Sequence, residues 1–568
     1  MSTFGGLSIG LRALETQRKS LDVTGHNIAN ANNEDYNKQR AIHSTTYPHT
    51  RPGMNTGFSS GQMGTGVEVE TIERVKDQFV NRQMMRENQT SAYWEELSQG
   101  LEKLEYIINE PSDSGISSSI NQFWNSLQDL SNNPNNTAAR NMVRENAKTM
   151  IDAFQSVDSQ LKDYQTNLNQ NLENVKEDIN NTAERIADLN KQIISVKSTG
   201  QNPNDLLDKR DALFKELNRK INVQGREDGL GNLIITTDGR QIVNGSDHYE
   251  LEVDPGDEEN TAELIHSRTG DPIEPTNGQT KAMFDLRDDK IDLYREKLEN
   301  LAGELVSEFN DRHRTGYDLE GNQAGNFFRD LENIAGGNKI AEMALSAEIK
   351  KEGGLARIAA GNYSNDPTVV GLSAVESTAL GDYAVDIKEN DSNADQWDIT
   401  ISDLEGNQLD SITINKEESI GFDSSLDTAT ADPDDIIGFV TADSGEFNLT
   451  PRDAGTAEIG LSQFSGSGDN ASYLAAMFDS GEVVEGTSIE GYFRTIVSSA
   501  GAESKRSQEM ENNQKAVLDQ LKSLDRSVSG VSLDEEMANL IKYQQAYNSA
   551  AKYITKTDEI LQTLINMI

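Results

Sequence analysis

Six histidines are the residues of this chain best suited to acid–base or metal chemistry near neutral pH. No two of them stand at the HExxH spacing of a zinc site, and no other titratable group accompanies them in a recognisable constellation. The sequence therefore predicts no catalytic residue, no cofactor-binding residue and no metal ligand. The histidines are His26, His43, His49, His248, His266 and His313.

Two loops have a weak likeness to ligand-binding loops. In DSNADQWD at residues 391–398, Gln396 replaces the glycine of a calcium loop, and Ser402 stands where a bidentate glutamate is needed. GREDGLGN at residues 225–232 lacks the lysine and the flanking apolar strand of a phosphate loop. We therefore expect a polar hairpin loop at the first and no phosphate site at the second.

Composition excludes several classes of function. The chain has 95 Asp and Glu against 51 Lys and Arg, a formal net charge of −44, which disfavours nucleic acid and anionic membranes as partners. No apolar run approaches the roughly 18 residues that span a bilayer. The 568 residues contain no cysteine, which removes thiol catalysis and suits a protein that leaves a reducing cytosol for an oxidising medium.

Apolar residues recur every seven positions at both ends of the chain, which is typical of helices that pack in coiled coils. Either row alone would suit an ordinary core-facing helix, but two matching rows favour packing of the two termini against each other. At the C-terminus a second row stands four residues after the first. The predicted assembly seam consists of Leu7, Leu14, Leu21, Ile28, Leu533, Met537, Leu540, Tyr547, Ile554, Leu561 and Ile565.

Between the termini the periodicity changes twice. Helical spacing runs over residues 94–108, over some forty residues from Phe154 to Val196, and over 283–309. Alternating residues with Asp, Asn and Gly turns predict strands at 221–251 and again from about 380 to 460. Residues 381–460 contain 20 Asp and Glu against three Lys and Arg, whereas residues 1–75 are electrically neutral. We interpret the acidic stretch as a solvated surface.

A resemblance to the family of flagellar rod, hook and hook-associated proteins starts at residues 13–40. This stretch, ALETQRKSLDVTGHNIANANNEDYNKQR, resembles the N-terminal family motif of an apolar helix, an Asn-Ile-Ala-Asn turn and a following tyrosine. The family usually has Thr-Pro-Gly before the tyrosine, whereas this chain has Asn33, Glu34 and Asp35. The matching residues are Asn27, Ile28, Ala29, Asn30 and Tyr36.

Three later stretches are similar to the hook-associated members of that family and occur in the same order. They cover residues 203–217, 284–328 and 529–568, and the last one is the closest. With the N-terminal stretch they span about a quarter of the chain. The C-terminal motif residues are Gln544, Gln545, Ala546 and Tyr547.

The resemblance implies an α+β multi-domain fold with three nested domains. Residues 1–65 with 527–568 would form an inner coiled-coil domain. Residues 66–350 with 470–526 would form a mostly helical second domain with a β-rich insert near 221–275, and 351–469 an acidic β-rich outer domain.

The resemblance also implies a function and partners. The chain would be a secreted, extracellular subunit at the hook–filament junction of the bacterial flagellum. It would pass through the type III export apparatus and assemble with itself, the hook protein and the next hook-associated protein. An export chaperone would bind the C-terminal helix, and no enzymatic step is implied. Another secreted tube or adhesin protein with paired terminal helices stays an alternative.

Overall fold

The computed structural model describes residues 3–48, 64–109, 115–256, 262–319, 322–332, 334, 338–362, 468–480, 484 and 486–567, with the backbone of short strands between 383 and 459. Packing divides the chain into two compact units. The first comprises Met1–Lys103, Tyr164–Lys290 and Ala502–Ile568, and the second comprises Leu104–Asp163 and Ile291–Gly501. The predicted three-domain boundaries fall inside these units and stay a prediction.

Helices form most of the described structure. They include a π-helical segment, Asp285–Ile291, and a 3-10 turn, Gly354–Arg357. The helices are α1 (Thr3–Ala29), α2 (Gln78–Asn109), α3 (Ile116–Asn132), α4 (Thr137–Lys197), α5 (Asn204–Lys220), α6 (Gln279–Phe284), α7 (Asp292–Thr315), α8 (Lys339–Glu342), α9 (Ala347–Lys350), α10 (Asp469–Ser480), α11 (Ile489–Ser529) and α12 (Leu533–Asn566).

Short antiparallel strands occupy the interior of the sequence. Their orders are β1-β2, β3-β4-β5-β6, β7-β8, β10-β9, β13-β12-β11-β17 and β15-β14-β16. The strands are β1 (Gln39–Thr45), β2 (Val67–Arg74), β3 (Gln224–Glu227), β4 (Leu233–Thr237), β5 (Arg240–Asn244), β6 (Asp247–His248), β7 (Leu251–Asp254), β8 (Glu263–His266), β9 (Gly316–Tyr317), β10 (Gly361–Asn362), β11 (Tyr383–Asn390), β12 (Asn393–Asp403), β13 (Gln408–Asn415), β14 (Ile420–Asp423), β15 (Gly438–Thr441), β16 (Asn448–Leu449) and β17 (Gly455–Ile459).

These elements confirm the predicted α+β class, with long helices at both ends and strands in between. The long helix predicted from Phe154 is longer than expected, because α4 starts at Thr137. Val143, Ala147 and Met150 are buried and continue its apolar face toward the N-terminus. Of the stretch with a likeness to a calcium loop, Asp391 and Ser392 lie outside the described residues, and residues 393–398 belong to β12.

The β-rich insert of the first unit packs on α4 and α5. Its core joins helix residues such as Ile186 and Leu217 to strand residues such as Ile235 and Val243. The turn between β4 and β5 is Asp238-Gly239, and both residues have a positive φ, 46° and 75°. Asp-Gly is the favoured dipeptide for such a hairpin turn, so the strand prediction at 221–251 is confirmed together with its turn.

The two terminal helices pack side by side and run antiparallel. A Cβ atom on Gly10 would lie 2.5 Å from Ile554 Cγ1, and one on Gly6 would lie 3.0 Å from Thr557 Cγ2. Only glycine allows the helices to approach so closely at these two positions. The start of α1 therefore contacts the C-terminal half of α12, and its end lies near the start of α12.

The β1–β2 hairpin packs on another side of α1. The Thr16 hydroxyl donates a hydrogen bond to the Val67 carbonyl at 3.1 Å. Ser20 Oγ lies 2.8 Å from His43 Nε2, at the point where the strand register shifts between Ile42 and His43. A two-stranded ribbon is marginal on its own, so α1 supplies the surface that stabilises it.

Aromatic side chains fill the core of the second unit. Phe123 on α3 and Phe309 on α7 meet Phe327 and Phe328, with ring centroids 4.8–6.0 Å apart in tilted or edge-to-face arrangements. The Trp124 indole N–H donates to the Ala475 carbonyl of α10 at 2.5 Å. These contacts join the start, middle and end of the second unit into one core.

Direct hydrogen bonds join the described segment that ends at residue 362 to the described segment that begins at residue 468. The Ala471 amide donates to the Ala360 carbonyl at 3.1 Å, and Asn470 Nδ2 donates to the Ala359 carbonyl at 3.0 Å. The Ala359 amide donates to His313 Nε2 at 2.9 Å, and His313 Nδ1 donates to the Gly325 carbonyl at 2.7 Å. These partners fix a neutral imidazole with its proton on Nδ1.

The pKa of His313 is lowered to about 4, chiefly by burial; the bond to Gly325 opposes the shift, and the nearby Arg140 guanidinium adds to it. The unfolded chain protonates this group near its ordinary pKa of about 6.5. We therefore expect His313 to contribute about 3 kcal/mol to the free energy of unfolding above about pH 6.5, and this contribution to be lost as pH falls toward 4.

In His313→Gln the amide can keep both hydrogen bonds but cannot titrate. Chemical denaturation between pH 4 and 7 should show a shallower pH dependence for this variant; equal slopes would contradict the assignment.

We also predict that Gly10→Leu separates α1 from α12, because the side chain would overlap Ile554. The cost of overpacking is about 1–3 kcal/mol. Gly25→Leu is the matched control, since a Cβ there meets nothing within 4 Å. Hydrogen exchange in α12 should become faster in Gly10→Leu and stay unchanged in Gly25→Leu. Equal exchange in both variants would show that the helices do not depend on this close approach.

Candidate assembly interface of the terminal helices

Asn27 is the centre of a buried hydrogen-bond cluster at the end of α1. Its side chain is 1% exposed. The amide group donates to the Gln39 carbonyl at 2.9 Å and to Glu536 Oε2 at 3.2 Å. Its Oδ1 accepts the Gln39 amide at 3.0 Å and the Tyr36 hydroxyl at 2.7 Å. This one side chain therefore connects α1, the segment after it and the first turn of α12.

Tyr36 is the second motif residue of this cluster. Its ring is buried, meets the His26 ring edge-on at 5.4 Å, and its hydroxyl lies 3.2 Å from His26 Nδ1. Burial raises the pKa of Tyr36 well above its ordinary value, and the nearby carboxylates of Asp205, Asp208 and Glu536 raise it further. The hydroxyl therefore stays protonated and remains a donor to Asn27.

Glu536 and Lys38 complete the cluster on the side of α12. Glu536 is 2% exposed, and its Oε1 lies 3.6 Å from Lys38 Nζ, which also contacts Glu535 at 2.8 Å. Burial lowers the pKa of Lys38, but the bonds and charges of the two glutamates outweigh it, so the net shift is upward. The Lys38 amide donates to the Ser529 carbonyl at 2.8 Å. The segment after α1 thus holds the end of α11 and the start of α12.

An acidic face of α5 anchors the same segment to the helical part of the first unit. Asp208 accepts the Asn37 amide at 3.2 Å and Asn37 Nδ2 at 2.6 Å, and it pairs with Arg74 at 2.8 Å. Asp211 pairs with Arg74 at 2.8 Å and with Lys76 at 2.7 Å. Burial raises the pKa of Asp211, yet the two cations outweigh it and lower the pKa overall.

The remaining motif residues have simpler positions. Asn30 ends α1, since its amide donates to the His26 and Asn27 carbonyls and its Nδ2 donates to the His26 carbonyl at 3.0 Å. Ile28 and Ala546 are half-buried, whereas Ala29, Gln544, Gln545 and Tyr547 are exposed.

The structure places the predicted seam residues of α12 in two groups. The half-buried group contains Leu540, Ile554 and Leu561 of the predicted row. Three residues after positions of that row, Tyr543, Ala550 and Thr557 are half-buried as well. α12 therefore packs on α1 mainly through these residues, and Ala551, at the predicted offset of four, is also half-buried. The other predicted residues are exposed on this chain, and their contact with further copies stays a prediction. They are Leu533, Met537, Tyr547 and Ile565.

The predicted seam residues of α1, which are Leu7, Leu14, Leu21 and Ile28, are only half-buried. The fully buried row of α1 consists of small and polar residues that sequence reasoning missed. From Thr16 onward, their spacing of three and four residues was the available signal, but polar side chains rarely mark a buried face. The row is Gly10, Thr16, Ser20, Thr24 and Asn27.

The described residues contain no cluster of three or more His, Asp or Glu side chains that could hold a metal ion. Within the same residues no helix is long and apolar enough to cross a membrane. The letters Gly-x-Ser-x-Gly occur at 6–10, but they lie inside α1 rather than on the strand-to-helix turn of a nucleophile elbow. A second such string, at 57–61, lies outside the described residues.

Comparison with known families gives two matches. Residues 101–328 match the flagellar hook-associated protein FlgK helical domain. Residues 527–567 match the flagellar basal body rod FlgEFG protein C-terminal model. The second match covers α12 with its buried Glu536.

Similar proteins extend over the whole chain. Flagellar hook-associated protein 1 of Bacillus subtilis is 26% identical over 602 residues, covering 100% of this chain and 98% of the relative. The Escherichia coli protein of the same name is 26% identical and covers 98% of each.

Among solved structures, the flagellar hook junction protein FlgK from Burkholderia pseudomallei is similar in fold. It has a TM-score of 0.56 and 17% identity, and the alignment covers 79% of this chain and all of that one. By its terminal motif residues, its two family matches and its full-length alignment, this chain is similar to flagellar hook-associated protein 1.

Proposed function

We propose that this chain is a structural subunit that joins the hook of the bacterial flagellum to its filament. The observation that carries the proposal is the antiparallel pair of α1 and α12, closed by Asn27, Tyr36 and Glu536, in a chain similar to hook-associated protein 1 over its full length. The motif that resembles the axial proteins supplies two residues of that buried cluster. The function is mechanical: an adaptor subunit must present the same surfaces in every copy, and no chemical step is needed.

Exposed apolar residues on the terminal helices support self-assembly. Met537, Ile541 and Ile560 on α12 are about half exposed, and so is Leu11 on α1. A lone helix pair would leave this apolar surface in water, whereas copies repeated around a tube would cover it. The predicted seam residues that do not face α1 are then contacts between copies.

The partners and the location follow from this role. One end of the assembled ring would contact the hook protein and the other end the next hook-associated protein. The protein would be exported and would act outside the cell, with neither nucleic acid nor membrane as a partner. An export chaperone would cover the apolar side of α12 before assembly, because an amphipathic helix needs a partner.

A secreted adhesin or another tube protein remains the second candidate, since paired terminal helices also suit those proteins. The full-length similarity to hook-associated protein 1 favours the junction. Loss of filaments with normal hooks in cells that lack this chain would distinguish the two functions.

We expect the double variant Leu540→Asp/Ile554→Asp to abolish filament attachment. Both side chains lie in the α1–α12 packing face, where two unpaired carboxylates cost several kcal/mol. Cells should make hooks, lose filaments and release flagellin into the medium. Leu540→Met/Ile554→Val changes the same two positions without adding charge and should leave filaments intact. Electron microscopy counts the filaments, and immunoblotting of the medium measures the released flagellin. Normal filaments in Leu540→Asp/Ile554→Asp would contradict the proposed role.

A further inference from the structure

One side of α11 carries a row of exposed apolar side chains within the first unit. Met510, Val517 and Leu524 recur every seven residues and are 37, 41 and 49% exposed, and Val528 is 40% exposed. The row borders the side that α11 buries, which is marked by Ser504, Ser507, Leu518 and Leu521. From Met510 to Val528 the row extends for about 27 Å at a rise of 1.5 Å per residue. It is long enough to accept several turns of another helix.

The same side of α11 has no acidic residue between residues 506 and 528. Its exposed polar members are Arg506 and Asn513. At 3.6 residues per turn, each acid of this stretch lies about 60° or more around the helix from every member of the row. These acids are Glu509, Glu511, Asp519 and Asp525. Acids are therefore present on this helix and are absent only from the apolar side.

The absence of acids on this side indicates what covers it. Two chains with a net charge of −44 repel each other, and the repulsion repeats at every contact in a ring. Copies can pack closely only through surfaces without carboxylates, because a buried unpaired carboxylate costs several kcal/mol. A basic partner would instead select an acidic surface. The acid-free apolar side of α11 therefore suits another copy of the same acidic chain.

We propose that the side of α11 formed by Met510, Val517, Leu524 and Val528 is covered by a second copy of this chain. The inference rests on the proposed function, because it assumes that copies pack side by side. It adds a contact surface outside the α1–α12 pair, on a helix that the predicted seam did not include. The contact is heterologous where the copies form a ring.

A charge placed on this side should disrupt the contact. Val517→Glu should reduce the number of filaments per cell at least tenfold. Ala516→Glu, its exposed neighbour about 100° around the helix, should leave the number within twofold of the unchanged chain. Val517→Lys should reduce it less than Val517→Glu, since a cation facing an acidic copy is not repelled. Circular dichroism of the purified full-length variants checks that α11 still folds. Equal filament numbers for Val517→Glu and Ala516→Glu would overturn the proposal.

The identity of the occupant can be tested because the chain has no cysteine. Val517→Cys, carrying a benzophenone maleimide, should be photo-cross-linked in flagella isolated from cells. The expected product has twice the 62.5 kDa mass of the chain and contains this chain alone by mass spectrometry. Ala516→Cys with the same label should give at least fivefold less product.

A Val517→Cys product with any other protein, or no product, would overturn the proposal. If Leu540→Asp/Ile554→Asp also had no effect on filaments, the proposed function itself would fail. If that variant lost its filaments while Val517→Cys gave no product, only the α11 contact would fail.

Discussion

The hydrogen bond from Asn27 Nδ2 to Glu536 Oε2 joins residues that are 509 positions apart in the sequence. Every other contact of the terminal pair depends on that meeting point. The buried Glu536 carboxylate would destabilise the helix pair if it had no partners. Asn27 and Lys38 must therefore both contact it when α12 packs on α1. A one-heptad slip would leave Glu536 buried without them. The polar cluster therefore specifies the register of two helices whose other contacts are small, as a single buried polar residue does in some coiled coils.

The ion pairs on α5 extend this constraint to the helical part of the first unit. Asp208 and Asp211 hold Asn37, Arg74 and Lys76, so the segment after α1 is fixed to α5 as well as to α12. A subunit that transmits force between two tubes benefits from such a connection, because the terminal helices cannot turn freely against α5. Asp208 and Asp211 are both paired here with basic side chains.

Much of the fold could be predicted from sequence, because long periodic segments carry their own signal. The heptads at both ends predicted the terminal helices, and Asp238-Gly239 predicted a hairpin turn that the structure contains. The packing face of α1 could not be predicted, since Thr16 and Ser20 are buried with hydrogen bonds and Gly10 by close approach rather than by hydrophobicity. Met537 and Ile565 are apolar in sequence, yet both are exposed on this chain, so hydrophobicity alone did not separate them from the residues that pack on α1. Family resemblance pointed to Asn27 and Tyr36, but nothing in the sequence indicated Glu536, whose partner Asn27 lies at the other end of the chain.

Disulfide trapping in assembled flagella tests most directly whether the terminal pair has this register. Gly6→Cys/Thr557→Cys joins facing positions, since a Cβ on residue 6 would lie 3.0 Å from Thr557 Cγ2, whereas Gly6→Cys/Ala550→Cys joins positions one heptad out of register. We predict that the first pair oxidises to an intramolecular disulfide and the second does not. Adding Glu536→Leu to each should lower the yield of the first and raise that of the second, while Glu535→Leu, at the exposed neighbouring residue, should change neither. A first pair that fails to oxidise, or yields unaffected by Glu536→Leu, would contradict the account.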